Sequence, residues 1–328
     1  MRPAAKKLLT PATIPHFRER LLGWFDKNKR DLPWRKNRDP YRVWLSEIML
    51  QQTRVAAVIE YYQRFLKKFP SMERLAAARE ASVLAAWSGL GYYRRARMLH
   101  AAAKQVVKEH KSQFPSTAEE LRQLSGVGRY TSAAIASIAF DQPVAVVDGN
   151  VERVIQRLLG KNLADETIWQ KATNLLSTKR PGDFNQAMME LGATVCTPRQ
   201  PSCLLCPVEQ FCVARGEIKL EEKKAPQRKQ EAFYALNRQR DRILLMQRPH
   251  TASLMPGMWE LPEIANPNGT KVSFTLKHSI TVTDYTVRVL EGVALQNSGA
   301  KWIAPSKLDR IPLTGLTRKI LKASGLVR

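Results

Sequence analysis

Four cysteines, Cys196, Cys203, Cys206 and Cys212, fall inside seventeen residues in the pattern C-x6-C-x2-C-x5-C, and the 328-residue chain has no others. Thiols crowded this tightly oblige their segment to wrap something, and soft sulfur ligands select a metal centre. A cubane iron–sulfur cluster takes four thiolates through loops of uneven length. Zinc takes four tetrahedral ligands, usually from paired C-x2-C knuckles, and only Cys203 and Cys206 have that spacing. A 4Fe–4S cluster is the expected occupant, with zinc as the alternative. Disulfides are a third arrangement, but Met1–Thr10 is basic with no apolar run after it, so neither a secretory signal nor an oxidising compartment is expected. The expected location is cytoplasmic.

Charge indicates the partner. Lys and Arg number 53 against 29 Asp and Glu, a net charge of +24 and a pI near 10.2. A surplus of that size favours a polyanion. It is concentrated in the first hundred residues, while residues 101–150 are neutral, as expected where one face meets phosphates; a solvated basic surface is the plainer alternative. With 44% apolar residues the chain can bury a full core and is long enough for two domains. Its apolar stretches are too short and interrupted to span a bilayer, so no membrane partner is expected.

Residues 12 to about 195 read as successive helices. Val43, Trp44, Ile48, Val55, Val58 and Ile59 recur at helical spacing, as do Leu175, Leu176, Met188, Met189 and Leu191 further on. Breaks fall at Asp39-Pro40, Phe69-Pro70-Ser71, Gly89-Leu90-Gly91, Phe114-Pro115-Ser116 and Pro181-Gly182-Asp183, with Ser71, Ser116 and Asp183 as expected helix caps. A charged stretch over 221–229 reads as a linker. Beyond it, Phe233–Leu236 and Arg242–Met246 read as strands, Ser279–Leu290 alternates in the same way, and Leu316–Ala323 closes as a helix. The expected fold is a mainly α domain over 1–218, a linker over 219–231 and a smaller α+β domain over 232–328.

Two segments carry chemistry. The turn Gly126-Val127-Gly128-Arg129-Tyr130 enters an apolar helix, and backbone N–H groups exposed there can grip a phosphate; a plain interhelical turn would have the same spelling. Some twenty residues on, Val147-Asp148-Gly149-Asn150 places a carboxylate after an apolar run. Asp148 can serve simply as a helix cap, yet a carboxylate there is costly unless used or paired. Glu47 lies among apolar neighbours in Trp44–Thr53, either buried or on an outer helix face. The adjacent Gln51 and Gln52 amides suit base edges.

Taken in order, Pro33-Trp34-Arg35, Ser46–Thr53, Gly89-Leu90-Gly91-Tyr92-Tyr93, Gly126–Thr131, Val147–Val151 and the cysteine array closely resemble the MutY-type adenine DNA glycosylases of the helix-hairpin-helix superfamily. The resemblance covers about residues 15–215. It implies removal of adenine mispaired with 8-oxoguanine or guanine from double-stranded DNA, by a monomer carrying a 4Fe–4S cluster on the four cysteines. Glu47 would protonate adenine at N7, Asp148 would stabilise the sugar cation, Asn150 would position the reacting groups and Tyr130 would line the site. Related bifunctional enzymes of the endonuclease III type place a lysine nucleophile where Tyr130 stands, so the resemblance implies base removal with little strand cleavage. Gln52 and Tyr92 would wedge into the duplex beside Leu50, and Trp34 and Arg35 would hold the adenine. The cluster would brace a basic loop that includes Arg199.

The C-terminal part resembles a MutT-like (Nudix-type) fold more loosely, through Gln247-Arg248-Pro249, Gly257–Pro262 and His278. Its implied role is reading the 8-oxoguanine strand with His278, Ser279 and Thr281. No acidic Nudix hydrolase box occurs over 257–285, so nucleotide hydrolysis is not expected. Two departures from the family pattern stand out. Ile280-Thr281-Val282 replaces the Phe-Ser-His common in bacterial members, and Ser125 stands where proline is common. An endonuclease III-type enzyme for damaged pyrimidines and a non-catalytic DNA-binding protein are the competing classes; intact Glu47 and Asp148 count against the second.

Overall fold

Helix boundaries follow local chemistry. In the computed structural model, which describes residues 9–215, 228–265, 269–280, 282–295 and 299–327, Asp39 caps helix α2 (Pro40–Leu50) by accepting from the Arg42 N–H. Ser71 caps α4 (Met72–Ala76) in the same way, as expected from the sequence. The other two expected caps move. Thr117, not Ser116, caps α7 (Ala118–Leu121), because Glu120 three residues on completes a reciprocal capping box. Asp183 lies inside α11 (Pro181–Thr194) and bonds Arg180, since Pro181 is already preorganised for the first helical position.

The chain divides into two compact units, each built from two stretches of sequence. One joins the chain up to Gln51 with the segment from Gln105 through the cysteines; the other joins Gln52–Lys104 with the strands and the last helix.

The first unit holds α1 (Ile14–Asn28), α2, α7, α8 (Arg129–Phe140), α9 (Gly149–Leu159), α10 (Asp165–Leu175) and α11. Val151, Val154, Ile155 and Leu158 form one face of α9 and meet Phe17, Leu21 and Phe25 of α1 and Phe184, Met188 and Leu191 of α11. Each such side chain contributes roughly 1.5–3 kcal/mol on full burial. Two glycines let α11 approach its neighbours. A Cβ on Gly182 would stand 2.5 Å from the Ser137 carbonyl of α8, and one on Gly192 would stand 2.6 Å from the Asn150 Cβ of α9. The cysteine segment docks on the same core through Val208 and Phe211.

The second unit contains α3 (Val55–Lys68), α4 and α5 (Glu80–Trp87), while α6 (Arg94–Glu109) runs across the division at residue 104. Its sheet runs β5 (Glu263–Ile264), β1 (Arg228–Leu236), β7 (Thr283–Glu291), β6 (Val272–Ile280), with β1 parallel to β7 and the other pairs antiparallel. A smaller sheet pairs β3 (Arg242–Gln247) with β2 (Arg238–Gln239), β4 (Trp259–Glu260) and β8 (Lys301–Ile303). Helix α12 (Gly315–Ala323) packs Leu316, Ile320 and Leu321 against Val287, Val289 and Leu245. The alternation over Ser279–Leu290 is therefore two paired strands, His278 opposite Tyr285 and Ser279 opposite Asp284, rather than one. A largely helical first part and a smaller α+β part agree with the fold class expected from the sequence.

Candidate active site

Helix α2 is buried on nearly every side from Tyr41 to Met49, and Glu47 is 6% exposed within it. The outer-face reading of Glu47 is thereby set aside. Burial pushes its carboxyl up to about 7; a hydrogen bond from Tyr130 pulls the other way, the nearby charge of Asp148 adds to the rise, and Arg35 opposes it. The Tyr130 hydroxyl donates to Glu47 Oε2 at 2.5 Å, and Met189 Sδ lies 3.5 Å from the same hydroxyl. Burial and the two carboxylates hold the phenol well above its ordinary range.

Asp148 caps α9 and also bonds the side chain of Asn150. One carboxylate oxygen accepts from the Asn150 and Val151 N–H groups at 2.9 and 2.8 Å, capping α9, and the other accepts from Asn150 Nδ2 at 2.8 Å. Three donors and the positive end of α9 are matched to an anion. Glu47 and Tyr130 bond each other, Asp148 and Asn150 bond each other, and Asp148 lies close enough to act on the Glu47 carboxyl, so the four gather in one place.

Two further residues belong to this constellation and were not read from the sequence. Glu190 of α11 is 1% exposed and bonds Arg30 and Arg35, at 2.6 Å to Arg30 Nε and 2.9 Å to Arg35 Nη2. Burial alone would raise its carboxyl, but the two guanidinium groups outweigh burial and hold it at about 2. Arg35 is consequently fixed, bonding Gln186 and the Arg30 carbonyl as well. Arg153 donates to Asn150 Oδ1 at 2.7 Å, the Gly192 carbonyl at 2.8 Å and the Cys196 carbonyl at 2.8 Å. It connects the Asp148–Asn150 pair to the first cysteine. Its spacing three residues after Asn150, on one helix face, is the only signal the sequence offered.

Trp34 is buried in a short turn with Arg35. Leu50 is half-buried at the end of α2, and Gln51 turns its amide toward the Thr131 hydroxyl at 3.3 Å. In the hairpin, Gly126 takes a φ of 74° and Gly128 starts α8; both are exposed, while Val127 is buried. Arg129 pairs with Glu166 and lies over the Trp169 ring. In the second unit, Gln52 and Tyr92 both have left-handed backbone (φ 55° and 46°), and both are exposed. Such strain in non-glycine residues clusters at functional sites. Arg95 ties their turns together, donating to Thr53 Oγ1 at 3.2 Å and to the Leu90 and Gly91 carbonyls at 3.3 Å. His278 is half-buried on β6; Ser279 next to it is exposed and donates to Asp284. Thr281 lies outside the described residues.

All four cysteines are free thiols lining one cavity, with Arg157, Glu209 and Arg215. Among the described residues, no three Cys, His, Asp or Glu side chains close on a single-ion position. Donors reach the sulfurs: Arg157 Nη1 lies 3.4 Å from Cys196 Sγ, and the Arg215 N–H lies 3.4 Å from Cys212 Sγ. Burial pushes the Cys206 thiol up to about 12, so a cation must displace its proton for the thiolate to form.

A helical hairpin beside a buried acid and an anion held at a helix N-terminus is the architecture of a base-excision fold. Residues 45–177 match the HhH-GPD superfamily base excision DNA repair proteins, and the chain belongs to that family. It is 50% identical over 222 residues to an adenine DNA glycosylase of Rattus norvegicus, covering 63% of this chain and 43% of that one. An adenine DNA glycosylase of Arabidopsis thaliana is 41% identical over 295 residues, covering 74% of this chain and 46% of that one. The chain thus spans less than half the length of these relatives. Among solved structures, a thermostable thymine-DNA glycosylase is 30% identical with a TM-score of 0.59, covering 63% of this chain and 98% of that one.

Proposed function

We propose that the protein is a monofunctional adenine DNA glycosylase, acting on duplex DNA at adenine opposite 8-oxoguanine or guanine. The single observation that carries the reading is Glu47, buried, protonated up to about pH 7 and within the field of Asp148. Adenine leaves poorly as an anion, so a proton must reach it as the C1′–N9 bond breaks. Glu47 donates that proton at N7. The sugar left behind is an oxocarbenium-like cation, which Asp148 stabilises by charge or by a transient ester at C1′. Water adds at C1′ and its proton returns to the Glu47 carboxylate, giving free adenine and an abasic site. Asn150 holds Asp148 in place, and Tyr130 holds the Glu47 carboxyl. A phenol forms no imine, so no strand cleavage follows base loss.

The target nucleotide must leave the stack to reach Glu47; Gln52 and Tyr92 fill the gap, while Trp34 and Arg35 line the adenine pocket. The four thiols around one cavity, with nitrogen donors aimed at the sulfurs, support a 4Fe–4S cluster on Cys196, Cys203, Cys206 and Cys212. When bound there, the cluster would brace the basic loop around Arg199. In this reading residues 1–218 excise the base, 219–231 link, and 232–328 form a MutT-like domain that reads the opposite strand through His278, Ser279 and Thr281. The enzyme works as a monomer in the cytoplasm.

The 30% identity to a thymine-DNA glycosylase favours a second reading, excision of thymine from T·G. Single-turnover assays on A·8-oxoguanine, A·G, A·C and T·G duplexes, with and without alkali, separate the two. The proposal requires adenine release from the first two and nicks only after alkali. Thymine release without adenine release would replace it.

A further inference from the structure

The turn that carries Tyr92 is held by the part of the chain that follows the cysteines. Ser88 is fully buried and donates Oγ to the Leu313 carbonyl at 2.7 Å; Tyr93, also buried, donates its hydroxyl to the same carbonyl at 3.1 Å. The Gly89 N–H reaches the Tyr93 oxygen at 3.4 Å, and Arg318 Nε reaches Ser88 Oγ at 3.2 Å. Leu313 cannot drift. The Trp259 N–H donates to the Pro312 carbonyl at 2.7 Å, the Thr314 N–H donates to the Trp259 carbonyl at 2.9 Å, and Thr314 caps α12. One carbonyl, anchored to β4 and α12, therefore receives both hydroxyls that flank Gly89–Tyr92.

What lies between those hydroxyls is strained. Gly89 has φ 108°, and a Cβ there would collide with the Tyr61 hydroxyl; Gly91 has φ 71° and Tyr92 has φ 46°. Tyr92 is 49% exposed, one of the few large apolar side chains left to solvent among the described residues. A left-handed tyrosine persists only where its surroundings over-determine it.

We infer that Ser88 and Tyr93, through the Leu313 carbonyl, are positioning residues by which the C-terminal part sets Tyr92 for base extrusion. The inference rests on the reading of Tyr92 as a residue that enters the duplex. It gives the C-terminal part a second task besides reading the opposite base. The two tasks are separable, because His278 and Ser279 lie on β6 and Leu313 precedes α12.

The test uses the full-length protein. Tyr93→Phe, Ser88→Ala, the pair together, Tyr92→Ala and the triple variant are compared on an A·G duplex. Extrusion is followed by 2-aminopurine fluorescence beside the mispaired adenine, and base release in single turnover. Removing both hydroxyl donors should slow extrusion roughly tenfold, the scale of hydrogen bonds lost from a buried acceptor. In the Tyr92→Ala background the same pair should add nothing, since residues acting through one side chain are non-additive. Tyr93→Phe alone keeps the ring and its packing, so it carries the measurement if the pair folds poorly. Wild-type extrusion in both Tyr93→Phe and the pair, or a loss that adds in full to Tyr92→Ala, would overturn the inference. If Tyr92→Ala extrudes normally, the inference fails with the wedge role, while adenine release in the same assay shows that the activity itself stands.

Discussion

Replacing Glu47 with glutamine should destroy activity and stabilise the fold, the second effect only at neutral to alkaline pH. The carboxyl moves from 4.5 to about 7 on folding, and at 1.36 kcal/mol per unit this amounts to roughly 3 kcal/mol. The folded-state value lies above the unfolded one, so the folded protein keeps a proton that the unfolded chain releases. Its stabilising effect is complete below about pH 4.5 and disappears as pH rises through about 7. Above that, the wild type must hold a desolvated carboxylate that the amide does not have. Glutamine keeps an oxygen to accept from Tyr130. Glu47→Gln should therefore melt near the wild type at pH 5 and several degrees higher at pH 8–9. Base release should fall by about 10²–10⁴-fold, the usual contribution of a positioned acid, and wild-type release should itself decline above about pH 7. Melting curves every pH unit from 5 to 9, beside single-turnover rates, decide it. A melting difference that does not change with pH, or a near-normal rate in the variant, would refute the buried-acid argument.

Asp148→Asn should abolish base release while duplex binding and melting temperature survive, because asparagine caps helices as well as aspartate does; fluorescence anisotropy and calorimetry check both halves. The protein purified in air should be brown, absorb broadly near 400 nm and contain iron rather than zinc. Cys203→Ser should lower its soluble yield, since Val208 and Phe211 are the only buried apolar side chains that the segment 196–212 contributes to the core; colourless, active protein with stoichiometric zinc would contradict this. His278→Ala should shrink the preference for A·8-oxoguanine over A·G by roughly one to two decades, the ~1–3 kcal/mol worth of a lost base contact, and an unchanged rate ratio would remove His278 from lesion reading.

The sequence disclosed the parts of the site whose chemistry is local. Asp148 illustrates why: cap and functional anion were competing readings, and capping occupies one oxygen, Oδ1, while the other accepts from the Asn150 side chain, so the two readings do not compete for the same atom. The burial of Glu47 was undecidable, because α2 is apolar on several faces and only its neighbours determine which are covered. Glu190 and Arg153 acquire their partners only in the tertiary structure: Glu190 meets Arg30 and Arg35, far away in sequence, and Arg153 reaches the Gly192 carbonyl where α11 comes close to α9. In the C-terminal part the strands were legible, but not the parallel pairing of β1 with β7, which joins segments far apart in sequence. The shift of a cap from Ser116 to Thr117 has a simpler cause: both residues can cap, and Glu120 chooses between them.

The interleaving of the second unit has a consequence for how the protein is made. Residues 52–104 leave the ribosome well before the strands that share their unit. At roughly 5–20 residues per second the delay is on the order of ten seconds. Until Leu313 emerges, Ser88 and Tyr93 lack the carbonyl that receives them in the finished molecule. A stop codon just beyond Cys212 would do more than delete an appendage: it would leave one of the earliest segments synthesised without the cover it waits for, and the truncated product exposed to proteolysis.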